Sequence, residues 1–302
     1  MRLGIDIGGT KIEAAALGDD GAIRLRRRLP TPSGDYPGII ATVKALVTGI
    51  EAEAGPAESI GVGIPGMLSP ATGLVKNANS TCLIGRPFDR DLAAALGRPV
   101  RLANDANCFA LSEAVDGAAQ GARVVFGVIL GTGVGGGVVV DGKVLTGRNA
   151  IAGEWGHSPL PWPQDDERPG PACYCGKHGC TETFLNGAGL SRAYEALTGR
   201  QEEAAAIAAR AEAGEAAAGT ALARYVDRLA RALAAVINLL DPEIIVLGGG
   251  LGQIAALYRD VPARWGDYVF SDTVATKLVP PRWGDSSGVR GAAWLWSESP
   301  AR

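Results

Sequence analysis

The sequence predicts an α/β protein built from two similar halves, and three observations lead to this prediction. Short apolar segments alternate with helical segments along the 302 residues, a length that accommodates two domains. A pattern of strand, Gly/Thr loop, strand, Asp-Gly turn and strand occurs twice, about 120 residues apart. The 43 glycines cluster at predicted strand ends, where backbone N–H groups can approach a phosphate. We therefore expect two α/β halves facing a cleft, each with one glycine loop for the phosphates of a nucleotide.

Composition and charge exclude several classes of protein. Hydrophobic residues make up 47% of the chain, enough for a sizeable core. The net charge of −3 gives no general attraction to nucleic acid or anionic membranes, and no apolar run approaches the length of a membrane span. Residues 1–6 are a predicted strand rather than a signal peptide. Cys82 and Cys108 are expected to be free thiols, as in a reducing compartment, so we expect a cytoplasmic protein.

The first half opens with a meander of three predicted strands, over residues 2–7, 12–17 and 22–29. Gly8-Gly9-Thr10-Lys11 joins the first two strands, and its N–H groups can approach a phosphate. Asp6, at the end of the first strand, is a plausible outer-sphere partner for Mg²⁺. No helix follows the glycines, so this is not a Walker loop, and an ordinary hairpin turn is the alternative interpretation.

The rest of the first half alternates helices and strands. We predict helices over 36–54 and 89–96, strands over 59–64, 73–75 and 100–103, and a further helix from 104 to 114. The polar loop 76–80 contains Asn77 and Asn79, whose amides can bind hydroxyl groups, although loop asparagines also form turns.

Asn104 and Asp105 have two interpretations that the spacing leaves open. Both are natural N-cap residues for the helix that follows. Alternatively, Asp105 is a general base at the carboxyl end of a strand, where α/β folds place their chemistry. A carboxylate at a helix N-terminus is expected to stay ionised at neutral pH.

The second half repeats the opening pattern. A strand over 124–130 is followed by a glycine run that begins Gly131-Thr132-Gly133, and by strands over 138–140 and 143–145. Helical segments begin at 183, continue through an alanine-rich stretch over 201–218 and end with a long amphipathic helix before Asp241-Pro242. A buried strand over 243–247, a last strand over 274–279 and a helix over 287–296 complete the prediction. Gly248-Gly249-Gly250 allows an adenine or ribose to lie on the backbone, or forms a tight strand-to-helix turn.

Three cysteines and a histidine between Glu154 and Glu182 form the strongest predicted site. The thiolates of Cys173, Cys175 and Cys180 and the imidazole of His157 are a complete tetrahedral set for structural zinc. Gly176 and Gly179 between them tolerate the positive φ that a tight turn needs.

Two alternatives to this ligand set remain open from the residues alone. One is a disulfide with an unrelated histidine, which a cytosolic compartment disfavours. The other is His178 as the fourth ligand, which is sterically awkward inside the loop. Closing the turn onto His157 brings Glu154 and Glu182 towards each other, and paired carboxylates suit the binding of a polyhydroxylated ligand.

Five motifs resemble, in order and over essentially the whole chain, those of the ROK sugar kinases. They are Asp6-Ile7-Gly8-Gly9-Thr10-Lys11, Asn104-Asp105-Ala106-Asn107, Leu130-Gly131-Thr132-Gly133, Glu154-Trp155-Gly156-His157 and the cysteine turn. The resemblance implies a duplicated actin-like (ribonuclease H-like) ATPase fold with ATP and a sugar in the cleft. We expect a first domain over 1–116, a larger second domain over 117–286, and a terminal helix over 287–302 that packs back on the first.

The resemblance also implies roles for individual residues. Asp105 is the implied catalytic base, and the implied zinc ligands are His157, Cys173, Cys175 and Cys180. Sugar contacts are implied for Asn79, Asn104, Asp105, Glu154, His157 and Glu182. The predicted site for ATP and Mg²⁺ comprises Asp6, Gly8, Gly9, Thr10, Lys11, Gly131, Thr132, Gly133, Gly248, Gly249 and Gly250. We expect phosphoryl transfer that depends on positioning and charge stabilisation, by an enzyme that acts as a homodimer.

The expected acceptor is the 6-hydroxyl of D-fructose, with mannose second. Within the family, residues 75–81, 113–119, 153–162 and 284–296 resemble the manno(fructo)kinase branch. Trp155 and Trp162 are candidates for side chains that exclude the acetamido group of a larger sugar. An N-acetylglucosamine kinase or a glucokinase is the alternative. A sugar-sensing repressor is a more remote one, since no DNA-binding segment precedes the first strand, and so is a sugar-binding module without catalysis.

Overall fold

The computed structural model describes residues 1–296, apart from the side chain of Asp285. The strands are β1 (Arg2–Ile7), β2 (Lys11–Leu17), β3 (Ile23–Pro30), β4 (Ser59–Ile64), β5 (Met67–Leu68), β6 (Val75–Lys76), β7 (Arg101–Asn104), β8 (Val124–Leu130), β9 (Val134–Val140), β10 (Lys143–Val144), β11 (Ile244–Gly248) and β12 (Lys277–Val279). The α-helices are α1 (Tyr36–Ala54), α2 (Phe88–Leu96), α3 (Asp105–Val115), α4 (Thr181–Leu185), α5 (Gly187–Thr198), α6 (Ala204–Glu212), α7 (Ala216–Leu240), α8 (Ala256–Asp260) and α9 (Ser287–Trp294).

Two five-stranded sheets have the same strand order. The first is ordered β3-β2-β1-β4-β7 and the second β10-β9-β8-β11-β12. In the first sheet β1 pairs antiparallel with β2 and parallel with β4, and in the second β8 pairs parallel with β11. The predicted α/β class, the internal duplication and the actin-like ATPase fold are therefore confirmed.

The chain divides into two compact units. The first contains Met1–Gly121, Gly137–Ala152 and Arg282–Arg302, and the second contains Ala122–Gly136 and Gly153–Pro281. Residues 137–152, which the sequence-based division placed with the second domain, thus lie in the first unit. Residues 297–302 of the predicted terminal helix lie outside the described part of the chain.

Apolar side chains of β1, β2, β4 and α1 form the core of the first unit. Leu3, Ile5, Ile12, Val43 and Val62 are fully buried within it. Burying each such side chain contributes roughly 1.5–3 kcal/mol, so this cluster fixes β1, which carries Asp6. Leu102 of β7 packs against the cluster, two residues before Asn104.

Helix α9 lies directly on β1 and β4 because both strands have a glycine at the contact. A Cβ atom at Gly4 would lie 1.9 Å from the carbonyl oxygen of Val289, and one at Gly61 would lie 1.8 Å from that of Ala292. Glycine within a strand commonly marks such a close backbone approach. The C-terminal segment up to Trp296 is therefore an integral part of the first unit.

Several predicted boundaries differ from the structure, and β9 differs most. The glycine run suggested a loop as far as residue 137, but the strand begins at Val134. A Cβ atom at Gly136 would lie 2.6 Å from the carbonyl oxygen of Gly153 and 2.7 Å from the Trp155 ring, so this glycine serves packing rather than a turn. Strand β12 is also shorter than predicted, because its pairing with β11 involves only residues 277–279.

Within residues 1–296, no helix has both the length and the apolar character needed to span a bilayer.

Candidate active site and metal centre

Three thiols and one imidazole lie together in the second unit. The ligand atoms of His157, Cys173, Cys175 and Cys180 all lie within 4.8 Å of one another. The Sγ atoms of Cys175 and Cys180 are 3.6 Å apart, and Cys173 Sγ lies 3.6 Å from Nδ1 of His157. Tetrahedral zinc, with Zn–S bonds of about 2.3 Å, keeps its sulfur ligands about 3.8 Å apart. The donor set and its spacing therefore fit a structural zinc ion.

The two alternatives to this ligand set are not supported. All five cysteines are free, and the Cys175–Cys180 sulfur separation of 3.6 Å is far longer than a disulfide bond of about 2.05 Å. His178 is exposed and lies outside the group of clustered ligand atoms. Its backbone instead bridges Ala172, which helps to close the turn.

The turn that presents the cysteines depends on two glycines, as predicted. Gly176 has a φ of 85° and Gly179 a φ of 70°, a region that side chains disfavour. The N–H of Gly176 donates to the carbonyl of Cys173 at 3.0 Å, and the N–H of Cys173 donates to that of Lys177 at 2.8 Å. Burial, and then the neighbouring thiols, raise the pKa of Cys180 to about 12. Coordination to a cation would oppose this increase, because zinc binds thiolates.

Glu182 lies between the metal ligands and the second glycine loop. Its side chain is 9% exposed. Oε2 accepts a hydrogen bond from the backbone N–H of Val134 at 2.9 Å, and Oε1 lies 3.9 Å from Cys173 Sγ. The hydrogen bond from Val134 therefore fixes this carboxylate beside the metal ligands.

Tyr174 lies beside the other predicted sugar ligands of this unit. Its hydroxyl is 2.8 Å from Nε2 of His157, and the two rings meet edge to face at 5.0 Å. Tyr174 is 78% exposed as a residue, but desolvation of its hydroxyl, followed by the charges of Glu182 and Glu154, raises its pKa. Both carboxylates therefore act on the same hydroxyl, and His157 directs its Nδ1 to the metal cluster and its Nε2 away from it.

Asp105 occupies the first position of α3, immediately after β7. Asn104 is the N-cap, and its side-chain oxygen accepts from the N–H of Ala106 at 2.9 Å, while Asp105 Oδ1 accepts from the same N–H at 2.8 Å. Burial raises the pKa of Asp105, and the hydrogen bonds from the backbone and Asn104 oppose this shift. The helix terminus thus stabilises the carboxylate, as expected, but burial has the larger effect.

Asp6 lies close enough to Asp105 for the charge of Asp105 to raise the pKa of Asp6. Burial, then the charges of Asp105 and Glu13, raise the pKa of Asp6 to about 7, while Lys11 opposes the shift. A Cβ atom at Gly288 would lie 3.2 Å from Asp6 Oδ2, so glycine in α9 leaves room for this carboxylate. Two partly buried acids that repel each other favour a divalent cation nearby.

The first glycine loop is a tight hairpin between β1 and β2. The N–H of Gly8 donates to the carbonyl of Lys11 at 2.9 Å, and Thr31 Oγ1 donates to the carbonyl of Gly8 at 2.7 Å. Gly9 and Thr10 at its tip are exposed. The hairpin interpretation is therefore correct for the backbone, and phosphate binding at its tip stays a prediction.

Asn79 lies exposed in the loop that follows β6. Its neighbour Asn77 has the positive φ, 55°, so Asn77 is the asparagine with the turn-forming backbone in this loop. The sugar contact of Asn79 stays a prediction.

A cavity of about 960 Å³ lies within the second unit. The predicted residues Gly131, Thr132 and Gly250 line it, together with Gly187 and Leu251. The close approach of Gly249, whose Cβ would lie 2.3 Å from the carbonyl oxygen of Leu130, holds the triple glycine beside the second glycine loop. The volume is at the upper end of the range for small-molecule sites.

Much of the wall of this cavity was not predicted. Polar side chains of α5 and the segment before α6 contribute Ser191, Arg192, Glu195, Gln201, Glu202 and Glu203. The sequence around these polar residues is alanine-rich and helical, and helices carry polar residues on any face exposed to solvent. The sequence therefore did not indicate a binding site here.

Comparisons with known proteins agree on one family. The model of the ROK family matches residues 2–299. An N-acetyl-D-glucosamine kinase of Vibrio vulnificus (strain YJ016) is 40% identical over 299 residues, which cover 98% of this chain and 99% of that protein. The corresponding kinase of Yersinia pseudotuberculosis serotype O:1b is 38% identical, with 98% of each chain covered.

Solved structures give the same result. A ROK hexokinase from Thermus thermophilus has a TM-score of 0.86 and 32% identity, with 97% of each chain covered. A ROK family glucokinase from Streptomyces griseus, in complex with glucose and AMPPNP, has a TM-score of 0.77 and 27% identity over 97% of this chain and 98% of that one.

Proposed function

This chain belongs to the ROK family, and on that premise we propose that it is an ATP-dependent sugar kinase whose acceptor is N-acetyl-D-glucosamine. The observation that carries phosphoryl transfer is the pair of neighbouring acids Asp6, near the carboxyl end of β1, and Asp105, directly after β7 in the same sheet. The curated relatives named N-acetyl-D-glucosamine kinase, 38–40% identical over nearly the whole chain, support the acceptor.

ATP is proposed to bind in the cavity of the second unit. Thr132 offers its backbone N–H to the phosphates, since the N–H of Gly131 donates to the carbonyl of Gly133. Gly250 and Leu251 offer a surface free of bulky polar groups to the base or ribose. The S. griseus glucokinase, solved with AMPPNP, supports a nucleotide in this fold. Asp6, Gly8, Gly9, Thr10 and Lys11 are proposed to contribute the remaining phosphate and Mg²⁺ contacts.

Asp105 is the proposed general base. Its carboxylate accepts the proton of the sugar 6-hydroxyl as the bond from that oxygen to the γ-phosphorus forms and the bond to the ADP oxygen breaks. A raised pKa suits this role, because a base is most effective when its pKa approaches the working pH. Mg²⁺ supplies charge neutralisation at the phosphates, and Asp6 is its proposed outer-sphere partner.

We propose the same sugar-binding residues that the sequence predicts. Asn79, Asn104 and Asp105 belong to the first unit, and Glu154, His157 and Glu182 belong to the second. We propose that zinc, held by His157, Cys173, Cys175 and Cys180, fixes the positions of His157 and Glu182.

D-Fructose is the second candidate acceptor, and its physical support is weaker than expected. Trp155 packs edge to face on Phe126 at 5.7 Å, and its indole N–H donates to the carbonyl of Gly135 at 3.0 Å. Trp162 is 51% exposed and lies against Tyr268. Both rings are thus packed against other side chains, and these contacts lend no support to a steric exclusion of the acetamido group.

A homodimer and a cytoplasmic location are also proposed. Phe270 is 99% exposed and Leu239 is 85% exposed. Asn238 donates to the carbonyl of Tyr268 at 3.0 Å and accepts from the N–H of Phe270 at 2.8 Å. The ring of Trp162 contacts the ring of Tyr268. An apolar patch of this kind suits a symmetric contact with a second copy. Sedimentation of wild type and Phe270→Asp would test it.

The acceptor is tested with a coupled ADP-release assay on N-acetylglucosamine, N-acetylmannosamine, fructose, mannose and glucose. We expect the highest kcat/KM for N-acetylglucosamine. A kcat/KM for fructose about tenfold higher would reverse the order of the two candidates, and activity with none of the sugars would refute the kinase assignment.

A further inference from the structure

The segment that follows the last cysteine holds the second glycine loop at three points. Glu182 Oε2 accepts from the N–H of Val134 at 2.9 Å, and Asn186 Nδ2 donates to the carbonyl of Thr132 at 3.2 Å. The N–H of Gly187 donates to the carbonyl of Gly131 at 2.9 Å. Gly131, Thr132 and Val134 therefore each have a hydrogen-bond partner in the segment 182–187.

The same segment is joined rigidly to the metal ligands. Cys180 is the N-cap of α4, and every residue of this short helix is buried. Both the N–H and the Oγ1 of Thr183 donate to the carbonyl of Cys180, at 2.9 and 2.7 Å. The N–H of Asn186 donates to the carbonyl of Glu182 at 3.0 Å. A shift of Cys180 is therefore passed to Glu182 and Asn186 rather than absorbed by a flexible link.

Gly133 shows how closely the loop is fitted to Glu182. A Cβ atom at Gly133 would lie 2.9 Å from Glu182 Oε2, the atom that binds Val134. Within the loop, the N–H of Gly131 donates to the carbonyl of Gly133 at 3.0 Å. The loop thus has one tightly defined shape, which depends on the position of this carboxylate.

We propose that α4, with Asn186, transmits the geometry of the metal cluster to the phosphate-binding loop, so that Glu182 and Asn186 are positioning residues for the nucleotide. The inference rests on the proposed function, because the loop is taken to bind ATP phosphates. Its consequence is that loss of the metal, or of either side chain, weakens nucleotide binding even when no sugar is present. A Glu182 that only contacts sugar would have no such effect.

Asn186→Ser provides the first test. Serine still caps α5, where Asn186 now accepts from the N–H of Gly189 at 2.8 Å, but it is too short to reach Thr132. We expect the affinity of the sugar-free protein for ADP, measured by calorimetry, to fall about three- to tenfold, with the affinity for sugar and the Tm unchanged. Asp35→Ser, at the N-cap of α1, is the matched control and should bind ADP as wild type does.

Glu182 is tested with a conservative and a truncating variant. Glu182→Gln retains an oxygen that accepts from Val134, whereas Glu182→Ala does not. In the sugar-free protein we expect the alanine variant to bind ADP about tenfold more weakly and the glutamine variant to stay close to wild type. Both variants are expected to bind sugar weakly, which separates the two roles of this carboxylate.

Metal removal completes the test. Zinc-depleted protein, or Cys175→Ser, should show the same loss of ADP affinity and faster amide hydrogen exchange over residues 131–134. If Asn186→Ser and Glu182→Ala both bind ADP within about twofold of wild type, the inference is overturned. Wild type that binds ADP but phosphorylates no sugar would instead refute the proposed function alone.

Discussion

The carboxylate of Glu167 receives two hydrogen bonds from the guanidinium of Arg231, whose Nη2 lies 2.9 Å from both carboxylate oxygens. Arg228 Nε donates to the same carboxylate at 2.7 Å. Arg231 also donates to the carbonyls of Pro161 and Trp162, at 3.0 and 2.7 Å. Two arginines of α7 thus fix the chain between His157 and the cysteines.

Replacing Glu167 should destabilise the protein strongly. Glu167→Gln leaves the buried guanidinium of Arg228 without its carboxylate, while Arg231 keeps only its ion pair with Asp227 at 3.0 Å. Breaking a buried ion pair from one side costs about 3–5 kcal/mol. Urea unfolding at neutral pH measures this cost. Glu53→Gln, which removes the exposed partner of Arg27, is the matched control and should cost at most about 1 kcal/mol. Equal costs for the two variants would contradict the prediction.

The contacts of Glu167 with Arg231 and Arg228 also predict that the protein loses stability in acid. Burial raises the pKa of Glu167, but hydrogen bonds from Arg231 and Arg228 outweigh it and bring the pKa from an ordinary 4.5 down to about 2. A lowered carboxyl pKa adds stability that is fully present above the unfolded value and disappears as the pH falls through the folded value. The difference in free energy of unfolding between wild type and Glu167→Gln should therefore shrink between pH 4.5 and about 2. A constant difference over that range would exclude this origin.

The base assignment predicts a large kinetic effect at Asp105. Asp105→Asn keeps an oxygen for the N–H of Ala106 but cannot accept a proton. A positioned base contributes typically about 10²–10⁴-fold, so kcat should fall in that range, with a much smaller change in sugar affinity. Asp35→Asn, at the N-cap of α1, should retain wild-type kcat. A kcat within about threefold of wild type would remove Asp105 from the mechanism.

The elements whose bounds were predicted correctly are determined by residues that are close together in the sequence. β1, β4, β8 and α1 have the predicted residue ranges, because a short apolar run or an amphipathic period ends at a glycine, a proline or a cap. Asp105 at the start of α3 follows from the same local rules. The cysteine turn was also predictable, since its four ligands lie within 24 residues of sequence.

The parts that could not be predicted depend on contacts between distant residues. Nothing local separates Gly136, which makes room for Trp155, from the turn glycines beside it. Glu167 and Arg231 are 64 residues apart, and Glu182 and Val134 are 48 residues apart. No periodic pattern in the sequence links two residues at such separations. The wall of the proposed nucleotide cavity could not be predicted for the same reason, because residues of α5 and α6 lie beside the glycine loop only after folding.

Metal content tests the cysteine cluster directly. Protein purified without a histidine tag should contain about one zinc per chain, and Cys175→Ser should lower both zinc content and sugar binding. Cys82→Ser, which removes a thiol outside the cluster, is the matched control and should retain the metal. Full activity and full sugar affinity in a zinc-free preparation would refute a structural metal here.

The raised pKa of Asp6 predicts how nucleotide binding depends on pH. Burial and the charges of Asp105 and Glu13 bring that pKa to about 7, so the carboxylate is charged above this pH and largely protonated one unit below it. A charged Asp6 attracts hydrated Mg²⁺, whereas the protonated acid does not. Calorimetry of MgADP binding to wild type and Asp6→Asn between pH 6 and 8 isolates this contribution, because protonation of ADP itself affects both proteins equally. We expect wild type to bind more tightly than the variant at pH 8 and the advantage to fall by up to about tenfold by pH 6. An advantage that is constant with pH would mean that Asp6 does not act on the cation.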